Sequence, residues 1–160
     1  MVKVDAMNKI CVPIRIVEET LTVLREAGTR DSEAVLLWLG RSELDTIQVL
    51  EGYMPEQEAD HDYFRIPPKA MSDLLTHLGQ TRTFVAAQVH SHPEEAFHSC
   101  ADDKWAIVRH ESALSLVVPF FAADTTPLNY LDKIAAFELS TKNRWEELSA
   151  THRSTLIQIL

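Results

Sequence analysis

The sequence predicts a mixed α/β fold, in which a single domain is built from one mixed β-sheet flanked by helices. The chain has 160 residues, which suits one domain with a buried core. Its apolar residues, 46% of the total, occur both at helical spacing and in short continuous runs. These segments follow one another as α-β-β-α-β-α-β-β, an order typical of a sheet covered by helices. We therefore expect residues 1–160 to form one domain.

Three segments are expected to be helical. In the first two, apolar side chains recur at steps of three and four residues. Pro67 and Pro68 open the second helix, since proline is tolerated in a first turn. Gly28 and Gly79 are expected to end the first and second helices. The expected helices span residues 13–28, 68–78 and 100–109.

Five segments are expected to be strands. Most are short apolar runs bounded by glycine, proline or polar residues, as in strands buried on both faces. Gly40 is expected to close the first of them, and Pro119 to end the fourth. Residues 54–61 are expected to form a loop, whereas 146–160 is compatible with helix or strand. The expected strands span residues 34–39, 46–52, 83–90, 114–121 and 134–140.

Charge and cysteine content narrow the kinds of partner and compartment. The net charge of −9 disfavours nucleic acid, because an acidic protein repels phosphate groups. The longest apolar run, near residues 114–123, is too short for a membrane span, so no membrane partner is expected. Cys11 and Cys100 lie far apart and suggest no disulfide framework. With no stretch resembling a signal peptide, the expected location is the cytoplasm.

Two histidines at the end of a predicted strand are the strongest sign of chemistry. His90 and His92 are two residues apart, so their side chains should lie on one face of the strand. Pro93 then ends the strand, where a loop and a substrate could reach both imidazoles. Catalytic zinc usually takes three protein ligands and leaves a fourth position open. The nearest carboxylates at the start of the following expected helix are Asp102 and Asp103.

Each of these residues also has a purely structural interpretation. Two histidines spaced in this way are a weak signal alone, and Ser99-x-x-Asp102 is also a helix-capping pattern. His98 and His110 are interpreted as ordinary exposed histidines. Glu33, taken alone, is a surface glutamate at the start of a strand. Only a fold that sets this strand beside the histidine strand would give Glu33 a role.

Together, these elements resemble the JAMM signature of the JAB/MPN metallopeptidase family. The elements are Glu33-x6-Gly40, then His90-Ser91-His92-Pro93, then Ser99-x-x-Asp102. The resemblance covers about residues 13–140 and implies an MPN-like domain that holds one Zn²⁺ per chain.

The resemblance also implies a role for each matching residue. His90, His92 and Asp102 would bind the zinc ion. Glu33 would take a proton from the attacking water and later pass it to the leaving amine. Ser99 would donate a hydrogen bond to the tetrahedral oxyanion.

Two departures from the family pattern stand out. The interval from His92 to Asp102 is one residue shorter than in eukaryotic members, and Asp103 would restore it only by breaking the Ser-x-x-Asp spacing. A glycine-rich loop usually follows the histidine motif, but here Glu94–Phe97 stands in its place. Cys100 adjoins the motif and could in principle be a thiolate ligand, although the family does not use that position.

The resemblance is greatest to compact bacterial JAB proteins that act in ubiquitin-like pathways, including the anti-phage CBASS and Bil systems. It implies an isopeptidase or peptidase that cleaves after the C-terminus of a ubiquitin-like protein, processing its precursor or its conjugates. Residues 51–62 are a candidate flap over that C-terminal tail. The activating-like and conjugating-like enzymes of the same operon would be further partners. The alternatives are a metabolic JAMM peptidase that trims a sulfur-carrier protein or small peptide, and a non-catalytic MPN scaffold.

Overall fold

The computed structural model describes residues 9–97, 107, 110 and 112–160. The helices within these ranges are α1 (Ile14–Thr29), α2 (Pro68–Thr81), α3 (Tyr130–Lys133) and α4 (Ala150–Leu156), with a short 3-10 turn at Phe120–Ala122. The strands are β1 (Lys9–Val12), β2 (Val35–Glu43), β3 (Thr46–Tyr53), β4 (Glu58–Ala59), β5 (Phe64–Arg65), β6 (Phe84–Ser91), β7 (Leu114–Val118), β8 (Ala135–Leu139), β9 (Trp145–Glu147) and β10 (Ile157–Ile159). The expected helix at 100–109 lies mostly outside the described residues.

One mixed sheet organises these elements. Its eight strands lie in the order β10-β1-β3-β2-β6-β7-β8-β9. The pairs β10–β1, β1–β3 and β6–β7 are parallel, and the remaining neighbours are antiparallel. Strands β4 and β5 form a separate two-stranded hairpin. A mixed sheet flanked by helices confirms the expected fold class.

Strand β2 shows why the first apolar run is continuous. Its residues alternate between the two faces of the sheet, and both faces are covered. Leu36 and Trp38 join the core cluster built with α1, whereas Leu37 and Leu39 join a second cluster with Leu74 of α2. Neither face of this strand can therefore tolerate polar side chains over its first half.

Gly40 does not close this strand, contrary to expectation. Strand β2 continues to Glu43, and its register against β3 shifts between Leu39 and Gly40. A Cβ atom at Gly40 would lie only 2.5 Å from the carbonyl oxygen of Gln48. The glycine therefore permits close backbone approach at a bulge and does not act as a strand terminator.

The first two helices follow the expected apolar spacing. Helix α1 buries Ile16, Val17, Leu21 and Leu24, close to the expected bounds. Helix α2 begins at Pro68 as expected but runs past Gly79 to Thr81. Its end is instead formed by Arg82 in the left-handed conformation (φ 55°), with the Arg82 N–H donating to Leu78.

The strands around the histidine motif agree with the expected ones. Strand β6 ends at Ser91, and β7 ends at Val118, immediately before Pro119. The loop expected at 54–61 contains the two-residue strand β4. Residues 146–160 are helical in one part and extended in two others, as β9, α4 and β10. None of the described helices has the length and apolarity that crossing a membrane requires.

Candidate metal centre

The two histidines of the motif lie side by side at the end of β6. The register of β6 places His90 between Val35 of β2 and Val117 of β7. His92 follows the strand directly, and its ring centroid lies 5.2 Å from that of His90. Both side chains are buried, with 0% and 2% of their surface exposed. The two-residue spacing therefore places both imidazoles on one face, as predicted.

Glu33 faces the second imidazole because of the strand register. Strands β2 and β6 are antiparallel, with Val35 opposite His90, so stepping two residues outward brings Glu33 opposite His92. The pairing extends past the strands, since the Ser91 N–H donates to the Ala34 carbonyl at 3.1 Å. The Glu33 Oε1 and His92 Nε2 atoms are 3.9 Å apart. Glu33 is 2% exposed and is therefore not a surface residue.

Aromatic side chains surround the two imidazoles. The Phe64 ring, itself 2% exposed, lies 5.2 Å from the His90 ring. The Phe97 ring meets the His92 ring edge-on at 4.5 Å and remains half exposed. This apolar surrounding limits the access of water, which strengthens electrostatic interactions inside the site.

The segment 54–65 is tied to the chain around Glu33. The Glu33 N–H donates to the Asp60 carbonyl at 2.8 Å. The Gln57 amide forms two hydrogen bonds with the backbone of Val35, donating to its carbonyl at 3.1 Å and accepting from its N–H at 2.9 Å. Within the candidate flap 51–62, residues 51–53 belong to β3. Further along the flap, Gln57 and Asp60 form the hydrogen bonds to the backbone of Val35 and Glu33.

Several predicted site residues lie outside the part of the chain that the structure describes. Ser99 and Asp102 lie outside the described residues, as do the alternatives His98, Cys100 and Asp103. Among the residues that the structure describes, no group of three His, Cys, Asp or Glu side chains is arranged to hold a metal ion. His110 is exposed, and its carbonyl accepts a hydrogen bond from the Ala113 N–H, immediately before β7.

The described side chains have the chemistry that a zinc ion requires. Imidazole and carboxylate groups are ordinary ligands of zinc. In catalytic zinc sites, a nearby carboxylate can also act as the acid/base group. His90 and His92 supply two adjacent nitrogen ligands, and Glu33 supplies a carboxylate beside them. A third ligand from Asp102 stays a prediction from the sequence. The arrangement fits the implied ion as far as the described residues extend.

The sequence analysis did not single out Gln57, Phe64 or Phe97, although Gln57 lies in the candidate flap and Phe97 in the segment that replaces the glycine-rich loop. None of them belongs to a recognisable local motif. Gln57 reaches Val35 across 22 positions of sequence, and Phe64 reaches His90 across 26. Only the tertiary structure brings them together.

The fold and the buried histidine–glutamate cluster define an α/β protein with a candidate metal centre at one end of its sheet. No family model matches the sequence. A protein of Sinorhizobium fredii (strain NBRC 101917 / NGR234), named "Probable metalloprotease y4jG", is 28% identical over 163 residues, covering 99% of each chain. The solution structure of protein DSY2949 from Desulfitobacterium hafniense matches with a TM-score of 0.65 at 20% identity, covering 94% of this chain and 92% of that one. This second likeness shows a shared fold.

Proposed function

We propose that this protein is a zinc-dependent peptidase of the JAMM type. The observation that carries the proposal is the approach of Glu33 Oε1 to within 3.9 Å of His92 Nε2, with both side chains 2% exposed. A chance pair of motif residues, 59 positions apart, would not be expected to meet in the interior. The full-length similarity to a protein named as a probable metalloprotease supports the same activity.

In this proposal, His90, His92 and Asp102 hold the metal ion. A zinc ion bound there would supply Lewis-acid polarisation of water and of the scissile carbonyl. His90 pairs with β2 on one side and with β7 on the other, so its backbone is fixed before any ligand arrives. Phe64 and Phe97 pack against the two rings and limit their rotation.

Glu33 is the proposed general base and, later, the general acid. Its carboxylate would take a proton from the attacking water and give it to the leaving amine. The Asp60 carbonyl and the Gln57 amide fix the backbone on either side of this residue, which keeps the carboxylate beside His92. Ser99 is proposed to donate a hydrogen bond to the oxyanion.

The proposed substrate is the extended C-terminal tail of a ubiquitin-like protein, either in a precursor or in a conjugate. The motif resemblance supports this substrate, and the proposed setting is a bacterial ubiquitin-like antiviral pathway in the cytoplasm. An extended tail can bind as an added strand, which recognises main-chain geometry and a few side chains. The activating-like and conjugating-like enzymes of that pathway are the proposed partners.

The test is cleavage of fusions between candidate ubiquitin-like proteins and a short reporter. We expect cleavage at the end of the ubiquitin-like part, loss of cleavage with a chelator, and recovery when zinc is restored. Glu33→Gln should keep one zinc ion per chain and lower turnover roughly 10²- to 10⁴-fold, since it removes the proton acceptor. Glu138→Gln, on β8, is the matched control and should cleave like the parent protein.

Three results would contradict the proposal at different levels. A parent protein that binds no zinc would refute the metallopeptidase assignment. A zinc-loaded parent that cleaves small peptides but none of the fusions would refute the ubiquitin-like substrate and leave the peptidase in place. Normal turnover by Glu33→Gln would show that Glu33 is not the general base.

A further inference from the structure

We propose that Gly28 and Arg25, on helix α1, are positioning residues for His92. They act through the 3-10 turn Phe120–Ala122, which follows β7 and holds the backbone of the histidine. The inference rests on the proposed function, because it concerns the ability of His92 to bind a metal ion. Neither residue belongs to the sequence motif.

The first step is that the backbone of His92 is held by β7 and this turn. The His92 N–H donates to the Val118 carbonyl at 2.9 Å, and the His92 carbonyl accepts from the Phe121 N–H at 2.8 Å. Two residues further along, the Glu94 carbonyl accepts from the Phe120 N–H at 2.9 Å. A displacement of the turn would therefore displace His92, whose main chain lies beyond the end of β6.

The second step is that the turn is not stable on its own account. Phe120, Phe121 and Ala122 have φ angles of 53°, 50° and 62°, and none of them is glycine. A left-handed conformation costs an L-residue about 1–2 kcal/mol. Three successive residues in this region persist only where the surroundings hold them.

The third step is that α1 supplies this support. The Arg25 guanidinium donates to the Ala122 carbonyl at 3.0 Å and also to the Thr125 carbonyl. At Gly28, an added Cβ would lie 2.5 Å from the Cβ of Phe121 and 3.0 Å from its Cγ. Because the Cβ of Phe121 is fixed to the backbone, rotating the ring would not relieve this contact.

It follows that Gly28 sets how closely the turn approaches α1, and Arg25 holds it at that distance. A methyl group at Gly28 would push Phe121 outward together with the N–H that His92 uses. The Phe121 ring also meets the His61 ring edge-on at 6.0 Å, so the displacement would reach the segment 54–65 as well. His92 would keep its side chain, but the position of that side chain would change.

The experiment compares two glycine-to-alanine changes in helices. Gly28→Ala introduces the contact with Phe121, whereas Gly79→Ala, in α2, adds a methyl group with nothing within 4 Å. Zinc affinity is measured by competition with a chromophoric chelator, and ligand geometry by the visible absorption spectrum of the cobalt(II)-loaded protein. We expect Gly28→Ala to raise the zinc dissociation constant about 10- to 100-fold and to shift the cobalt bands, as changes behind a ligand typically do. Gly79→Ala should match the parent in both.

Two further variants keep the test decisive if Gly28→Ala folds poorly. Arg25→Ala removes two hydrogen bonds without adding volume and should shift affinity and spectrum in the same direction. In Gly28→Ala combined with Phe121→Gly, the contact is absent and position 121 accepts positive φ, so both readouts should move back toward the parent. Parental affinity and spectrum in folded Gly28→Ala or Arg25→Ala would overturn the inference while the proposed function stands. A parent that binds no zinc would overturn both.

Discussion

At the scale of single residues, Glu33 is the side chain whose position demands a chemical explanation. An ionised carboxylate pays a desolvation cost of several kcal/mol when it leaves water. Glu33 is 2% exposed and faces a second buried polar side chain, His92, 3.9 Å away. Apolar residues of similar size would stabilise the fold at least as well. The pair is better explained by the chemistry that it can perform than by its contribution to stability.

The metal-binding role of His92 can be tested against another histidine of the same chain. His92→Ala should lower bound zinc from one ion per chain to well below one, because two of the three expected ligands remain. Zinc should then also fail to raise the thermal midpoint of the variant, since an ion stabilises only the state that binds it. The measurements are elemental analysis after gel filtration and calorimetry with and without zinc.

The control for this change is His77→Ala, in α2. The His77 Nε2 and Glu51 Oε2 atoms lie 2.8 Å apart, and the His77 ring lies 4.9 Å from the Tyr53 ring. His77→Ala therefore also removes a hydrogen bond and a ring contact. It should keep full zinc content. Stoichiometric zinc in His92→Ala with parental affinity would take His92 out of the ligand set.

At the scale of elements, Gly40 shows how a single glycine lets two strands stay in contact across a change of register. The shift between Leu39 and Gly40 brings the Gln48 carbonyl to within 2.5 Å of the position that a Cβ would occupy. Glu33 lies two residues before β2, and this bulge lies further along the strand. The bulge therefore sets the register of β2 against β3, whereas the approach of Glu33 to His92 follows from the pairing of β2 with β6.

Gly40→Ala should lower the free energy of unfolding by roughly 1–3 kcal/mol, the range for forcing extra volume into a packed site. Gly79→Ala is the control, and at its exposed helical position it should leave stability equal or raise it by up to about 1 kcal/mol. Chemical denaturation measures both. Equal stability of Gly40→Ala and the parent would show that β2 and β3 can move apart at this position without any loss of free energy of unfolding.

Elements defined by local patterns were predictable, and those defined by distant partners were not. The apolar spacing of α1 and the continuous run of β2 are visible in the sequence because each buries a regular set of side chains. Strand β10 has three residues and pairs with β1, and β1 has four residues and also pairs with β3. Gly40 and Gly79 were misassigned as ends because a glycine that permits close approach, or one in an exposed helix, looks the same in sequence.

The same distinction applies to the candidate centre. The two-residue spacing of His90 and His92 is local, and their shared face was predictable from strand geometry. The approach of Glu33 depends on the register of β2 against β6, so only the family resemblance could anticipate it. Gln57 and Phe64 contact the centre through segments that no periodicity singles out.

At the scale of the whole molecule, the sheet joins the two ends of the described chain. β10 pairs in parallel with β1, the Leu160 N–H donates to Val12, and the Leu160 carbonyl accepts from Ile14. The core on the α1 face extends from this region to Tyr130, which lies at the start of α3. Because residues from both ends share one core, loss of either end should affect the global stability of the fold.

Tyr130 links that global stability to alkaline pH. Its side chain is fully buried beside Trp38, with ring centroids 5.9 Å apart, and burial raises its pKa far above the usual value near 10. The unfolded chain loses the phenolic proton near pH 10, whereas the folded chain keeps it. The contribution to stability is therefore complete below pH 10, and above it the free energy of unfolding falls by about 1.4 kcal/mol per pH unit.

Tyr130→Phe removes this linkage and should unfold at a higher pH than the parent. Near pH 8 its stability should equal or exceed that of the parent, because the Tyr130 hydroxyl has no hydrogen-bond partner among the described residues. The measurement is the free energy of unfolding from denaturant titrations between pH 8 and 11, taken as the difference between variant and parent. Tyr63→Phe, at a side chain 39% exposed, is the control for the loss of one phenol. A difference that stays constant across pH 10 would mean that the Tyr130 phenol ionises in the folded protein, and that this part of the core admits water.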